Sequence, residues 1–502
     1  MPSSIQRHAW KYAASLGICL GAFTSTSLIW GQEQPQAATV AASDSASAPY
    51  ENYPYSSYPL TNAIPTDVPY GVAPTGLFRS PFDQDNPEPP AEPATEEPAE
   101  EDSGWQLTSL LGPRWGCNGF KVGGSMVNSY VYNFNSPSNH FNGPVTWTDR
   151  SNEYQLNQQW LYFERATSTE EKNFDIGGRI DMLYGTNYRW ATSAGLEDRW
   201  SMNTSQSFYG MALPNAYLEV ASGDVKLKLG HFVSPVGFFT VDTTQNFFYT
   251  IPYTYQYGEP FTHWGGLLTW NATDNLVIGG GVTRGWDNFD GSGSGSPNAG
   301  ALGTVTYTFE DKSSVAMVFV WSNEYNNRTD AAGNLDFSSR YFQTFVYTKP
   351  INDQWTYVLQ SDFGTQGSTS DFSGTRDIGT ARWYGVNQYL FYKQCDSLSW
   401  GANFEWFRDE SGYRVGCVLP TLSNPGGSDT RGLPASFYGY AGNFFQASFG
   451  PKWTPTKNLM IRPNVRWDCF AGESLNTGGL RPFDNGLKNY QGIMGLDVSF
   501  LY

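Results

Sequence analysis

The residues able to do chemistry fall into two groups, and their spacing suggests a field rather than a reaction. Charges recur at every second or fourth position in apolar surroundings: Arg179 and Asp181, Lys226 and Lys228, Arg462 and Arg466, with Glu405 and Asp497 set alone. A second group, Asp242, Glu259 and His263, lies in one long polar and aromatic segment. Acids facing bases across water set up a transverse field that orients polar solutes and penalises apolar ones.

Bond-making chemistry finds less support. The chain has four His, and His8 belongs to a leader. His140, His231 and His263 sit in or beside connectors, and Ser234 near His231 has no acid at a spacing that would complete a nucleophilic set. Enzymatic activity is therefore not expected. Cys117, Cys395, Cys417 and Cys469 are separated by 278, 22 and 52 residues, which matches no zinc pattern. The Gly, Asn and Asp-rich connectors lack a twelve-residue calcium-loop spacing, so neither a metal nor a cofactor is expected.

Charges at alternate positions need strands to aim them. The 502 residues include 16% aromatic and only 15% charged side chains, with 53 Gly, a balance suited to β-strands. In DVKLKLG, Val225, Leu227 and Leu229 oppose Lys226 and Lys228; in NLMIRPNVRWD, Ile461, Val465 and Trp467 oppose Arg462, Asn464 and Arg466. In MGLDVSFLY, Met494, Leu496, Val498, Phe500 and Tyr502 oppose Gly495, Asp497 and Ser499. A period of two places each set on one face.

About sixteen such segments occur from residue 118 onward. Every second connector is short (SG after the fourth segment, ATD after the sixth, IND after the tenth), and the others are long, such as 232–263, 323–339, 409–439 and 470–487. Sorting of this kind predicts an all-β, transmembrane, up-and-down antiparallel barrel with short turns and both termini on the periplasmic side. A secreted β-sandwich explains the composition, but its dry core would not take Arg179, Lys226, Lys228, Glu405, Arg462 and Arg466. At sixteen strands side chains no longer fill the middle, which leaves a water-filled channel. Arg179, Lys226, Lys228, Glu405, Arg462, Arg466 and Asp497 are its expected lining.

The same topology bears on the cysteines. Cys395 falls in a short turn, while Cys417 and Cys469 fall in long loops at the opposite end, so Cys417 with Cys469 is the candidate disulfide.

Ahead of the strands, residues 1–31 read as a secretory signal peptide, with Arg7 and Lys11 before an apolar stretch; a single membrane anchor is the alternative. Residues 32–104 are rich in Pro, Ala, Ser and Glu and predict a disordered linker. The barrel domain then covers 105–502. The net charge of −17 is concentrated in that linker: Asp83 to Asp102 holds nine acidic residues and no Lys or Arg, which leaves −8 elsewhere. No basic patch suits nucleic acid.

The stretch LPNAYLEVASGDVKLKLGHFVSPVGFFTVDTTQNFFYT, with YGEPFTHWGGLLTW, NFEWFRDESGYRVG and PFDNGLKNYQGIMGLDVSFLY, resembles the "Putative beta-barrel porin-2, OmpL-like" family over roughly 105–502. The resemblance implies an outer-membrane porin passing small polar solutes or ions. By analogy with general porins, whose third loop folds inward, 232–263 would narrow the pore near Asp242, Glu259 and His263. Phe500 and Tyr502 resemble the C-terminal signal read by the barrel-assembly machinery. Outer-membrane lipid is the expected surround, and a homotrimer the expected assembly. The alternative is a structural or adhesive barrel whose loops bind a partner outside the cell, which would show no conductance.

Overall fold

The structure, a computed structural model, describes residues 106–111, 119–169, 172–203, 207–290, 299–329, 334–371, 376–415, 439–475 and 479–502. All of them belong to one compact unit, Ile64–Tyr502. The expected leader, 1–31, and the whole of the expected linker, 32–104, lie outside the described residues.

Seventeen strand segments follow in order: β1 (Phe120–Asn133), β2 (Tyr154–Arg165), β3 (Phe174–Gly185), β4 (Gly210–Ala212), β5 (Ala216–Ser222), β6 (Val225–Val233), β7 (Thr262–Thr273), β8 (Leu276–Thr283) and β9 (Gly300–Thr308). They continue with β10 (Ser314–Thr329), β11 (Leu335–Pro350), β12 (Trp355–Ser370), β13 (Asp377–Cys395), β14 (Leu398–Asp409), β15 (Tyr440–Thr456), β16 (Leu459–Ser474) and β17 (Tyr490–Leu501). Both β4 and β5 pair with β3, so they make one interrupted stave. The break falls at Pro214, which has no N–H for the ladder. Asn215 bridges it: its carbonyl accepts from the Asp181 N–H at 2.8 Å, and its amide donates to Asp181 Oδ2 at 2.9 Å.

Each stave pairs antiparallel with its sequence neighbours, and β1 pairs with β17 from Ser125↔Leu501 to Asn133↔Ile493. Sixteen staves thus close an up-and-down barrel without a free edge, which removes every unpaired backbone row from the membrane. Tyr502 completes the seam, its N–H donating to the Gly124 carbonyl at 3.0 Å and its own carbonyl accepting from Gly124 at 2.8 Å.

Alternation sorts the two faces. Ile176, Ile180, Leu218, Leu268, Ile278, Met494, Leu496 and Phe500 are exposed apolar side chains on the outside, joined by Trp270, Tyr307, Trp453 and Tyr490. Such a band, out of contact with other protein, is a surface made for acyl chains. Arg462, Asn464 and Arg466, and Gly495, Asp497 and Ser499, point inward and are buried. The termini of the barrel and the short turns share one end, and the long loops share the other.

Two sequence expectations need correction. Residues 323–339 are mostly strand: β10 and β11 continue through Asn323↔Ser339, Glu324↔Ser338 and Tyr325↔Phe337, bulge, and pair again at Thr329↔Leu335. Polar side chains hide pairing there because backbone bonds and the Tyr325–Phe337 ring contact hold the hairpin without an apolar face. Similarly, β16 runs on to Ser474.

Candidate functional site

The third long loop, from Ser234 to Phe261, carries most of the interior geometry. Pro235, Pro252 and Pro260 restrict its backbone. Asp242 caps a 3₁₀ turn at Thr243–Gln245, Oδ1 accepting from the Thr244 N–H at 3.0 Å and its hydroxyl at 2.7 Å. A wide helical turn follows at Thr254–Gly258. Between Ser234 and Phe261 only Phe238, Asp242 and Gln245 are not buried.

Inward side chains of the wall hold this loop by its backbone. Arg462 chelates Asp497 through Nε and Nη2, at 2.9 and 2.7 Å to Oδ2, and donates Nη1 to the carbonyls of Thr243 at 2.6 Å and Asn246 at 2.8 Å. Arg466 donates to Asp468 at 2.8 Å, to the Thr250 hydroxyl at 2.9 Å and to the Ile251 carbonyl. Two staves away, on β14, Glu405 accepts from the Tyr253 N–H at 2.7 Å and from the N–H and hydroxyl of Thr254. Gln158 donates to the Val241 carbonyl at 2.6 Å, Trp383 Nε1 to Gly258 at 3.1 Å, and Arg414 Nε to Tyr257 at 2.6 Å. The planar guanidinium fork suits the task, because it can satisfy a carboxylate and orphan carbonyls together.

Aromatic contacts fill the space between these bonds. Phe238 lies 5.0 Å from Tyr389, Phe247 lies 4.8 Å from Phe391, and Tyr253 lies 4.8 Å from Phe444, centroid to centroid. The interior is therefore part apolar and part polar, where the number of strands alone suggested a water-filled middle.

The site residues separate into three places. Asp242 and Arg179 line one cavity of about 480 Å³, together with Lys121, Tyr162, Lys457 and Tyr502. Lys457 lies in a short turn and Tyr502 at the end of the chain, so this cavity opens at the periplasmic mouth. Arg179 is 2.6 Å from Asp181 and 3.4 Å from Glu164, and it stacks 4.4 Å over the Tyr162 ring. Lys226 is 4.0 Å from Glu219, and Lys228 lies 4.3 Å over Tyr217.

Glu259 and His263 lie deeper, both fully buried. His263 pairs with the Ser234 hydroxyl at 2.9 Å through Nε2 and with the Gly285 carbonyl at 2.9 Å through Nδ1. Glu259 Oε1 accepts from Gln360 Nε2 at 2.6 Å, and the same amide reaches both oxygens of Asp362 at 3.1 Å. Burial pushes the Glu259 carboxyl well above its ordinary range, and the neighbouring Asp362 adds to the rise. Arg462, Arg466, Glu405 and Asp497 form the third group, the buried anchors of the loop.

Sequence reasoning passed over Gln158, Gln360 and Asp362. Their inward parity was readable in the strand period, but nothing in the strand announces what a distant loop sets against it. Of the cysteines, Cys395 is free and exposed at its turn, and Cys469 is disulfide-bonded. Cys417, proposed as its partner, lies outside the described residues. Phe500 sits in the outer belt, and the Tyr502 hydroxyl donates to the Trp160 carbonyl at 3.0 Å.

A closed sixteen-stave barrel with an apolar exterior and a charged, loop-bearing interior defines an outer-membrane channel protein. The chain belongs to the family described as "Putative beta-barrel porin-2, OmpL-like", whose model matches residues 119–502. Solved structures similar to the chain include the outer membrane channel DcaP of Acinetobacter baumannii, at 12% identity and TM-score 0.48, covering 76% of this chain and 97% of that one. OprB of Pseudomonas putida shares 13% identity at TM-score 0.45, covering 78% and 96%. OmpF of Salmonella typhi shares 14% at TM-score 0.46, covering 77% and 99%. No curated protein matches the chain.

Proposed function

We propose that the protein is a passive diffusion channel for small polar solutes or ions, narrowed by residues 232–263. The observation that carries this reading is the anchoring of the loop backbone to inward side chains on widely separated staves, Gln158 on β2 and Gln360 on β12, with Glu405 on β14 and Arg462 and Arg466 on β16 between them. A loop held this way leaves a passage smaller than the barrel. Asp242 faces Lys121, Arg179 and Lys457 across the cavity at the periplasmic mouth, an acid on the loop against bases on the wall. That pairing supplies the transverse field, and Glu259 and His263 act behind it by keeping the loop in place. Lys226 and Lys228 extend the basic side of the lumen.

Three molecules would assemble through the apolar outer wall; one solved structure of OmpT of Vibrio cholerae is described as a trimer form. A structural barrel whose loops bind a partner is the second reading, and the complete burial of Arg462, Arg466 and Glu405 favours it.

The test places a thiol at the mouth. Asp242→Cys in a Cys395→Ser background is expected to lose single-channel current when a charged thiosulfonate is added to the periplasmic side. Current unaffected by a fully modified Cys at 242 would place the conducting path elsewhere.

A further inference from the structure

Two buried carboxyls meet where the loop joins the wall. Glu259, on the loop, and Asp362, on β12, are both almost wholly shielded from solvent, and they lie within hydrogen-bonding reach of each other. The donors they share are few: Gln360 Nε2 serves Glu259 at 2.6 Å and Asp362 at 3.1 Å, and the Thr344 hydroxyl donates to Asp362 Oδ1 at 2.6 Å. Among the described residues, Glu259 Oε2 accepts from no donor. Gly237, at φ +77°, packs so closely that a Cβ there would lie 2.1 Å from Oε2.

The charged and titratable groups around the pair offer no relief. Glu405 on β14 adds a like charge to Glu259, and Tyr389 on β13 is the remaining titratable group that senses both carboxyls. The guanidinium of Arg414 in the seventh long loop donates to the Tyr257 carbonyl, and that of Arg466 on β16 to Asp468. Two ionised carboxylates in contact and away from water repel strongly, so one of them must carry a proton for the loop to sit here.

We infer that Glu259 and Asp362 form a proton-held latch, which seats the narrowing loop while the pair shares a proton and releases it when that proton leaves. This inference rests on the channel reading and concerns its regulation. The seated state holds its proton to higher pH than a released, hydrated Glu259 would, as the raised Glu259 carboxyl requires. Seating is therefore complete below the ordinary Glu range and is lost as pH rises toward the raised value, the seated-to-released ratio falling about tenfold per pH unit in between. Release of Glu259 also frees Gln360, whose Oε1 accepts the Phe238 N–H at 3.1 Å, so the first half of the loop loosens with it.

The experiment records single channels of the refolded full chain from pH 5 to pH 9 and follows backbone hydrogen exchange of residues 234–261 over the same range, corrected for the intrinsic rate. The wild type is expected to pass more current, and its loop to exchange faster, as pH rises. Glu259→Gln, which presents a permanent amide donor to Asp362, is expected to stay at the wild-type low-pH values throughout, and Asp362→Asn to behave alike. Circular dichroism identifies any variant that fails to form strands, and either substitution suffices. Loop exchange independent of pH in the wild type, or an unchanged pH profile in a folded Glu259→Gln, overturns the latch. Absence of current steps in every protein would instead overturn the channel reading, while the exchange data still decide the latch.

Discussion

Arg462 joins the charge pattern of one strand to the position of a loop more than two hundred residues earlier in the chain. It is fully buried, paired with Asp497, and donates to two loop carbonyls. Removing one member of such a pair leaves the other charge buried and alone, at a typical cost of about 3–5 kcal/mol. Arg462→Met is therefore expected to lower the midpoint of guanidinium unfolding, and Arg462→Met with Asp497→Asn to recover much of the loss. A single variant as stable as the double would show that the pair does not act as a unit. Strand periodicity gave Arg462, Arg466 and Glu405 their inward direction. It could not show that backbone carbonyls and N–H groups of the loop, in place of water, would meet them.

Among the elements, the third loop depends on local backbone permissions as much as on its anchors. Gly237 adopts φ +77° against the Glu259 carboxyl. A side chain there meets both a disfavoured conformation, costing about 1–3 kcal/mol, and an occupied space. Gly237→Ala is expected to speed hydrogen exchange within 234–261 while exchange along the β1–β17 seam stays slow. Equal loosening of loop and seam would mean that the loop is not a separable element. The staves themselves were the most legible part of the chain, because a membrane wall forces strict alternation and short turns on one side. Legibility failed where that force is absent: the outer end of β10, from Asn323 to Arg328, carries polar residues on both faces, so its pairing with β11 left no period to read. The aromatics of the loop gave warning of an ordered segment, but their partners Tyr389, Phe391 and Phe444 are visible only once the barrel closes.

For the molecule as a whole, closure explains both the exterior and the lumen. The seam from Ser125↔Leu501 to Asn133↔Ile493 leaves no edge to satisfy, so the outer surface can be apolar from Ile176 on β3 to Leu496 on β17. Polar residues then have only the inside to occupy, where the loop shares the space with them. Whether that arrangement passes solute is the central question, and planar bilayer recording of the refolded full chain addresses it most directly. The account predicts discrete, long-lived current steps whose size grows with salt concentration. A preparation shown to be folded and inserted that gives no steps at any pH between 5 and 9 would contradict it.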